Sequence, residues 1–303
     1  MPVRQNILAN ASVRQKYVQG VIALKNQFTG VTTTSLGISG PSRPVSTWDR
    51  FVAWHHAAMG FAHRGSLFLP WHRLMLRTLE QLLAQALADP NFGLPYWDWA
   101  ADGELTPAKR LTAPVWANNC MGSGTTAPGP FTLAAFPLRL AANSSAQLVQ
   151  VNRALERSRG AGVPGISNPP LPTKATTAAA ITATPYDMAP WSTSSASGFR
   201  NRVEGWSPAN QLHNLVHIWV GGDMLPSSSP NDPVFYLNHC NVDRVWERWM
   251  QNNGRVYQPL NTTPNAPVGQ RINDPMLSPF GGSVTPAQVL NMTTTYTYDS
   301  VAV

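Results

Sequence analysis

The spacing of apolar residues predicts two helices in the first third of the chain. The first covers 11–28, where apolar side chains fall three or four residues apart and so share one helix face. These side chains are Val13, Tyr17, Val21 and Leu24. The second helix is expected over about 48–62, because Thr47 can cap its first turn and Ser46 with Asp49 resembles a capping box.

The same spacing predicts three further helices and one strand. A helix over about 70–88 begins with a proline, which fits the first turn, and carries an apolar stripe. Helices over about 207–220 and 232–251 each begin with a Ser-Pro or Asp-Pro pair, in which the first residue can act as the N-cap. The tail TTTYTYDSV alternates in the way of a strand.

The middle of the chain, from about 111 to 199, is rich in Pro, Ser, Thr, Ala and Gly. Its pattern is weak, and one helix is predicted in it, over 145–158. A long, weakly patterned stretch is usually a surface excursion or a partly disordered segment. A functional lid over a binding site is the alternative that stays open.

Composition narrows the class of protein. The chain has 303 residues, of which 43% are hydrophobic and only 12% charged, with 27 Pro and 11 Trp. Low charge is typical of membrane proteins, but no run of about 18 apolar residues occurs, so no spanning helix is expected. The net charge is +7, yet the arginines are scattered without a basic run, so no nucleic-acid partner is expected either.

Two features bear on the cellular compartment. Cys120 and Cys240 lack the short spacing of a metal or redox motif, and we expect two free thiols in a reducing compartment rather than a disulfide. The first ten residues lack the apolar core of a secretory signal. We therefore expect a cytoplasmic protein, or one that is exported with a partner protein.

All seven histidines lie in two windows, 55–72 and 213–239. His213 and His217 stand four residues apart on a predicted helix, so both imidazoles project from one face. His239 lies on the next predicted helix and can join them if the two helices pack antiparallel. The second window therefore predicts a set of three histidines.

The first window predicts a second set, formed by His55, His63 and His72. His56 would point about 100° away from His55 on a helix, and we leave it out. One buried histidine is usually an ordinary core residue. Six are costly to bury without hydrogen-bond partners, whereas a metal satisfies three at once.

The ligand type indicates which metal. Imidazole suits zinc, copper, iron and nickel, but neither window contains the Glu-x-x-His pattern of di-iron bundles. A single three-histidine site can hold catalytic zinc, and dinuclear zinc hydrolases normally add bridging carboxylates. Two all-imidazole sets on paired helices fit a dinuclear copper centre better.

Four longer segments carry a more specific signal: HRGSLFLPWHRLMLRTLE at 63–80, LPYWDWA at 94–100, LHNLVHIWVGG at 212–222 and NDPVFYLNHCNVDRVWERW at 231–249. They resemble the signature blocks of the tyrosinase family, the type-3 copper proteins that include tyrosinases, catechol oxidases and o-aminophenol oxidases. The resemblance implies a mainly α fold, in which an antiparallel four-helix bundle holds the dicopper centre among long irregular loops and a few short strands.

The resemblance also implies how the chain is organised. It predicts a single catalytic domain over 1–303, with copper-binding blocks at 48–100 and 200–250 and the excursion at 111–199 between them. Carried over by position, three histidines bind each of two copper ions. His55 is preferred over His56 because it follows the WDRFVAW stretch. The implied ligands are His55, His63 and His72 for the first copper and His213, His217 and His239 for the second.

The implied activity uses dioxygen as co-substrate. It converts o-diphenols or o-aminophenols to quinones or quinone imines, and ortho-hydroxylation of monophenols stays open. A dioxygen carrier without turnover is the alternative, since haemocyanins use the same six-histidine copper pair. The implied partners are a small phenolic or aminophenolic substrate and, for copper loading or regulation, a separate copper-delivery (caddie) protein.

Two residues near the second histidine set match positions with a known family role. In the family, a Glu and an Asn placed like Glu204 and Asn214 hold a water that helps to deprotonate phenols. A surface carboxylate paired with Arg200 or Arg202 is the alternative for Glu204. Asn214 fits equally well as an ordinary polar position on the helix.

Four further residues are expected around the copper pair. Phe235 resembles the family's aromatic residue that stacks against ligand imidazoles, although core packing explains it equally well. Asp243 lies one turn after the last ligand, where it is expected to order a neighbouring arginine or helix. Ile218 and Met224, with the 223–230 loop, are expected to line the substrate pocket.

The chain also departs from some relatives. Phe61 stands where some carry a cysteine cross-linked to a histidine, so no thioether is expected, and Asn238 replaces a frequent histidine. Tyr296 and Tyr298 resemble the tyrosine motif that closes the catalytic domain, with Arg4 as a cation–π partner. The sequence stops soon after this motif, which predicts an uncovered active site.

Overall fold

Helices dominate the fold. The computed structural model describes residues 1–124, 129–209, 211–278 and 280–302. Its α-helices are α1 (Ala11–Asn26), α2 (Thr47–Ala62), α3 (Phe68–Ala86), α4 (Trp99–Gly103), α5 (Pro107–Leu111), α6 (Lys174–Ile181), α7 (Phe199–Glu204), α8 (Leu212–Val220), α9 (Val234–Asn253) and α10 (Pro286–Leu290).

The strands are short and pair only in twos within the described residues. They are β1 (Val3–Arg4), β2 (Phe28–Thr32), β3 (Pro44–Ser46), β4 (Leu138–Ala142), β5 (Leu148–Arg153), β6 (Gly162–Val163), β7 (Ile166–Ser167), β8 (Met276–Leu277), β9 (Ser283–Val284) and β10 (Thr297–Tyr298). β1 pairs with β10 in parallel, while the other four pairs are antiparallel and join consecutive strands.

The long helices pack against one another. α1 contacts α2 and α3, α3 contacts α2 and α9, and α8 contacts α9. The prediction of a mainly α fold with a few short strands is confirmed, and the helices over 11–28, 48–62, 70–88 and 232–251 are found within a few residues of their expected bounds. The antiparallel order of a four-helix bundle stays a prediction.

The start of α2 differs by one residue from the prediction. Ser46, not Thr47, is its N-cap, because the Ser46 Oγ accepts the Asp49 backbone N–H at 3.1 Å and donates to the Asp49 carboxylate at 2.7 Å. α9 begins at Val234, with Pro233 and not the expected Asp232 at the N-cap position, and the Asp232 carboxylate accepts the Val234 N–H at 2.9 Å. In both helices a side-chain oxygen satisfies a backbone donor that the first turn leaves without a partner.

The helix expected from residue 207 begins later, at Leu212. Ser207 and Pro208 lie in a turn that is closed by a β-bridge between Trp206 and Ala209. The bridge occupies the backbone groups that a helix start would use. A Ser-Pro pair fits the first residues of a tight turn as well as those of a helix, so the local sequence does not separate the two.

Parts of the middle segment, 111–199, are built into the core. The predicted helix over 145–158 is wrong, because β4 and β5 form an antiparallel hairpin there. Leu138, Leu155 and Tyr186 are fully buried. The Arg157 guanidinium binds the buried carboxylate of Asp232 through two hydrogen bonds of 2.6 and 2.8 Å, and so ties the segment to the start of α9.

Aromatic burial explains the low charge of the chain. Seven tryptophans are almost completely buried, and each removes a large apolar area from water; they are Trp48, Trp71, Trp97, Trp99, Trp219, Trp246 and Trp249. Cys120 and Cys240 are buried free thiols. Among the described residues, none of the helices has both the length and the apolar content needed to cross a bilayer.

A buried ionic network joins the two chain ends to α3 and α9. The Asp243 carboxylate of α9 accepts from Arg73 at 2.6 Å, from Arg4 at 3.0 Å, and from the hydroxyls of Tyr296 and Tyr298 at 2.7 and 2.6 Å. The Arg4 guanidinium lies 3.5 Å from the centre of the Tyr296 ring, which confirms the cation–π contact. Burial alone would raise the pKa of Asp243, but the two guanidinium groups outweigh it and lower the pKa.

Replacing the shared carboxylate is expected to destabilise the fold strongly. Asp243→Ala leaves Arg4 and Arg73 buried with fewer anionic partners, and breaking a buried ion pair on one side costs about 3–5 kcal/mol. The free energy of unfolding, measured in urea, should fall by that amount. The matched control is Asp89→Ala, which removes the partly exposed pair with Lys16 and should cost at most about 1 kcal/mol. Equal losses in the two variants would contradict the role given to the network.

Candidate metal centre

The first histidine set comes together around the junction of α2 and α3. His55 lies in α2, His63 directly after its last residue, and His72 in the second turn of α3. One ring nitrogen from each lies within 4.8 Å of the other two. The three residues are the ones that spacing and resemblance predicted.

The second set is formed by α8 and α9. His213 and His217 share one face of α8, and His239 reaches them from α9; one ring nitrogen from each again lies within 4.8 Å of the other two. The Nε2 atoms of His213 and His239 are only 3.1 Å apart.

The two sets face each other across a short distance. The rings of His72 and His239, one from each set, stack with centroids 4.1 Å apart and planes 13° from parallel. The His63 and His213 rings are 6.5 Å apart between centroids. The six imidazoles therefore surround one continuous space rather than two separate sites.

Backbone carbonyls fix which nitrogen faces this space. His55 Nδ1 donates to the Ser227 carbonyl at 2.7 Å, His72 Nδ1 donates to the Phe68 carbonyl at 2.7 Å, and His217 Nδ1 donates to the Met224 carbonyl. A carbonyl oxygen only accepts, so each Nδ1 carries the hydrogen and each Nε2 keeps its lone pair. All three Nε2 atoms are buried and have no hydrogen-bond partner among the described residues.

His213 is oriented by a backbone carbonyl and by a side chain, and its Nδ1 lies 3.3 Å from the Glu204 carbonyl oxygen. Asn214 Nδ2 donates to the Gly205 carbonyl at 3.3 Å, so its Oδ1 faces His213 Nδ1, which donates to it at 3.0 Å. The His213 lone pair is therefore on Nε2, which points at His239. His239 Nδ1 has no hydrogen-bond partner among the described residues, so the contact with His213 does not fix the tautomer of His239.

Burial keeps the imidazoles neutral. Loss of hydration lowers the pKa of His55 to about 3 and that of His217 to about 4. The same cause lowers the pKa values of the other four ligand candidates well below the ordinary value of histidine. Neutral imidazoles are the form that binds a metal, and the pure nitrogen donor set suits copper.

The match to known proteins covers the site. The family model described as the common central domain of tyrosinase matches residues 45–252. A tyrosinase from Streptomyces antibioticus is 36% identical over 269 residues, which cover 83% of this chain and 89% of that protein. A grixazone synthase from Streptomyces griseus is 32% identical over 336 residues, covering 98% of this chain and 99% of that protein.

The chain belongs to the tyrosinase family. Solved structures agree on the fold: a polyphenol oxidase from Thermothelomyces thermophila superposes with a TM-score of 0.72 at 19% identity, covering 99% of this chain and 89% of that one. A tyrosinase from Burkholderia thailandensis gives 0.62 at 17% identity, covering 99% and 73%. The family uses a dicopper centre, and the two histidine sets fit two copper ions. The protein is a type-3 copper oxidoreductase.

Glu204 is not a surface carboxylate in this tyrosinase-family fold. It lies at the end of α7, buried, and accepts the Arg64 backbone N–H at 2.6 Å and the Arg200 guanidinium at 3.2 Å. The pairing of Glu204 with Arg200 agrees with the alternative that the sequence left open, but the burial of Glu204 does not. Burial raises the pKa of Glu204, while Arg200 and the Arg64 amide act in the opposite direction.

Aromatic rings and buried side chains close the space around the histidines. The Phe235 ring lies 4.2 Å from that of His239 and 4.9 Å from that of His55, so it touches ligand candidates of both sets. Ile218 is half-buried beside His217. Met224 is fully buried and reaches His217 through its carbonyl oxygen, so this contact does not depend on its side chain.

Asp243 acts through Arg73, the residue that follows His72 in α3. Its carboxylate holds the Arg73 guanidinium at 2.6 Å. The prediction that Asp243 orders a neighbouring arginine therefore agrees with the structure. The contact joins α3 to α9 one residue away from His72.

Three of the contacts that orient ligand imidazoles had no signal in the sequence. Ser227, Phe68 and Met224 orient ligand imidazoles through backbone carbonyls, which every residue carries. The Phe68 ring lies 4.8 Å from that of His213 and 4.9 Å from that of His72, between the two sets. The FLPWH block that contains Phe68 was the available hint for this ring.

Removing one ligand candidate should remove one copper. We expect wild-type protein, loaded with copper and dialysed, to hold two copper ions per chain by atomic emission. His213→Ala should hold one, because His217 and His239 alone leave the second set short of a ligand, and turnover should be lost. His72→Ala should lose the other copper. Two retained coppers or full oxidase turnover in His213→Ala would refute the ligand assignment.

Proposed function

We propose that this protein uses dioxygen to oxidise o-diphenols and o-aminophenols to quinones and quinone imines. Copper held by the two histidine sets supplies one-electron redox chemistry and a place for dioxygen to be reduced. Two molecules of an o-diphenol together give up four electrons and four protons, which convert one dioxygen to two waters. The observation that carries the proposal is the pair of facing histidine sets in a tyrosinase-family chain.

The exposure of the site favours turnover over dioxygen carriage. Four ligand candidates are buried, but His63 and His217 are half-buried, as are Asn214 and Ile218 on α8. We infer that a phenol approaches the copper pair past these partly exposed side chains. A carrier has to keep reductants away from its copper pair, whereas an oxidase has to admit them.

We infer that Glu204 takes up the phenolic proton, directly or through a water. Its carboxylate uses one oxygen for the Arg64 N–H and the other for Arg200, which leaves acceptor capacity on both oxygens. A pKa raised by burial makes a carboxylate a better base near neutral pH. Asn214 supports the reaction indirectly, because its Oδ1 accepts the His213 Nδ1–H and so holds that imidazole in place.

The substrate class is best tested on copper-loaded protein with three compounds side by side. We expect sustained oxygen consumption with catechol and with o-aminophenol. Oxygen consumption with tyrosine as the third compound shows whether monophenols are hydroxylated. The names of the relatives do not decide the substrate class, since a tyrosinase and a grixazone synthase match the chain at similar identity. Uptake of one dioxygen per copper pair without further consumption would establish a carrier instead.

Replacing the proposed base should separate two activities. Glu204→Gln keeps the size of the side chain, and Arg200 keeps its two hydrogen bonds of 2.9 Å to Asp187, so the fold should persist. If wild-type protein hydroxylates monophenols, that rate should fall about 100-fold in the variant. Oxidation of catechol, whose protons are lost more readily, should fall less than about tenfold. The control is the exposed Glu156→Gln; equal losses on both substrates would refute the role.

A further inference from the structure

His56 is the one histidine that neither set uses. It follows His55 in α2, is half-buried, and lines a cavity of about 790 Å³ together with Arg50 and Trp54. Successive residues of an α-helix point about 100° apart. The sequence therefore gives no reason to expect that His55 and His56 share a contact.

Both imidazoles nevertheless bind Ser227. His55 Nδ1 donates to the Ser227 carbonyl at 2.7 Å, and His56 Nδ1 lies 2.8 Å from the Ser227 hydroxyl oxygen. The carbonyl and the hydroxyl leave the residue in different directions, so two diverging side chains of one helix can each reach one of them. Together the two hydrogen bonds fix the position of Ser227 and its rotation.

The position of Ser227 matters because its carbonyl is what orients His55. No other hydrogen bond to His55 Nδ1 occurs among the described residues, and His55 Nε2 is buried without a partner. Ser227 is itself half-buried, in the loop between Met224 and Ser229. A displaced carbonyl would leave the imidazole free to rotate away from the first copper, since outer hydrogen bonds set ligand orientation.

We propose that His56 is a positioning residue for the first copper. By holding the Ser227 hydroxyl, it keeps the Ser227 carbonyl on His55 Nδ1 and so aims His55 Nε2 at the metal. The inference concerns copper retention, and it holds whichever phenol or aminophenol is the substrate.

The primary test measures how fast each copper leaves the fully loaded protein in the presence of a copper chelator. His56→Ala and Ser227→Ala should each release one copper about fivefold faster, the effect of losing a hydrogen bond of about 1 kcal/mol. The release rate of the other copper should not change. The double variant should release the first copper no faster than either single variant, because both remove the same hydrogen bond.

Two conservative variants separate positioning from packing. The side-chain amide of His56→Asn places a polar atom where Nδ1 stands and should restore the wild-type release rate. His56→Gln carries its amide one bond further out and should not. A role in packing alone would favour the larger glutamine.

Fold stability provides the matched control. Because His56 is half-buried and borders a cavity, His56→Ala should leave the thermal midpoint of the copper-free protein within about 2 °C of wild type. Met59→Ala, a similar truncation of a half-buried residue on the same helix, should leave both release rates unchanged. Acceleration of both copper ions, or of neither, in His56→Ala would overturn the inference.

The outcomes also separate this inference from the proposed function. Wild-type protein that holds no copper would overturn the metal assignment and the role of His56 together. Two retained copper ions without oxidation of any phenol would overturn only the proposed function, and the release experiment would still decide the role of His56.

Discussion

Six neutral imidazoles have to be held inside the protein with their lone pairs facing one space. A free imidazole rotates and exchanges its proton between two nitrogens, so proximity alone does not make a metal site. Here the carbonyls of Ser227, Phe68 and Met224 each take one Nδ1 hydrogen, and Asn214 takes that of His213. The rest of the fold keeps those four acceptors in place.

The acceptors come from parts of the chain that lie far apart. Phe68 belongs to α3 itself, whereas Ser227 and Met224 belong to the loop that leads into α9. That loop is tied to the middle segment, where the Ser228 hydroxyl accepts the Ala142 N–H of β4 at 3.0 Å and Arg157 binds Asp232. The middle segment therefore acts as a brace for this loop, whose carbonyls orient His55 and His217, and its composition did not indicate that role.

A second constraint is the burial of charge beneath the site. Asp243 joins Arg4, Arg73 and the two C-terminal tyrosines, so that β1, β10, α3 and α9 share one carboxylate. Such a group is costly to bury unless each charge has a partner. The parallel pairing of β1 with β10 provides one partner for the Asp243 charge, because that pairing brings Arg4 to α9.

The sequence by itself determined the four longest helices, the two histidine sets and the family, because helical spacing and ligand spacing are local properties. It failed over 145–158 and at Ser207, where pairing with distant or adjacent backbone outweighed a weak local preference. The tertiary structure alone decided the burial of Glu204, the brace formed by the middle segment and the shared contact of His55 and His56 with Ser227. Those contacts join residues 75 to 172 positions apart, and in several the partner is a backbone N–H or carbonyl, which has no signature in a sequence.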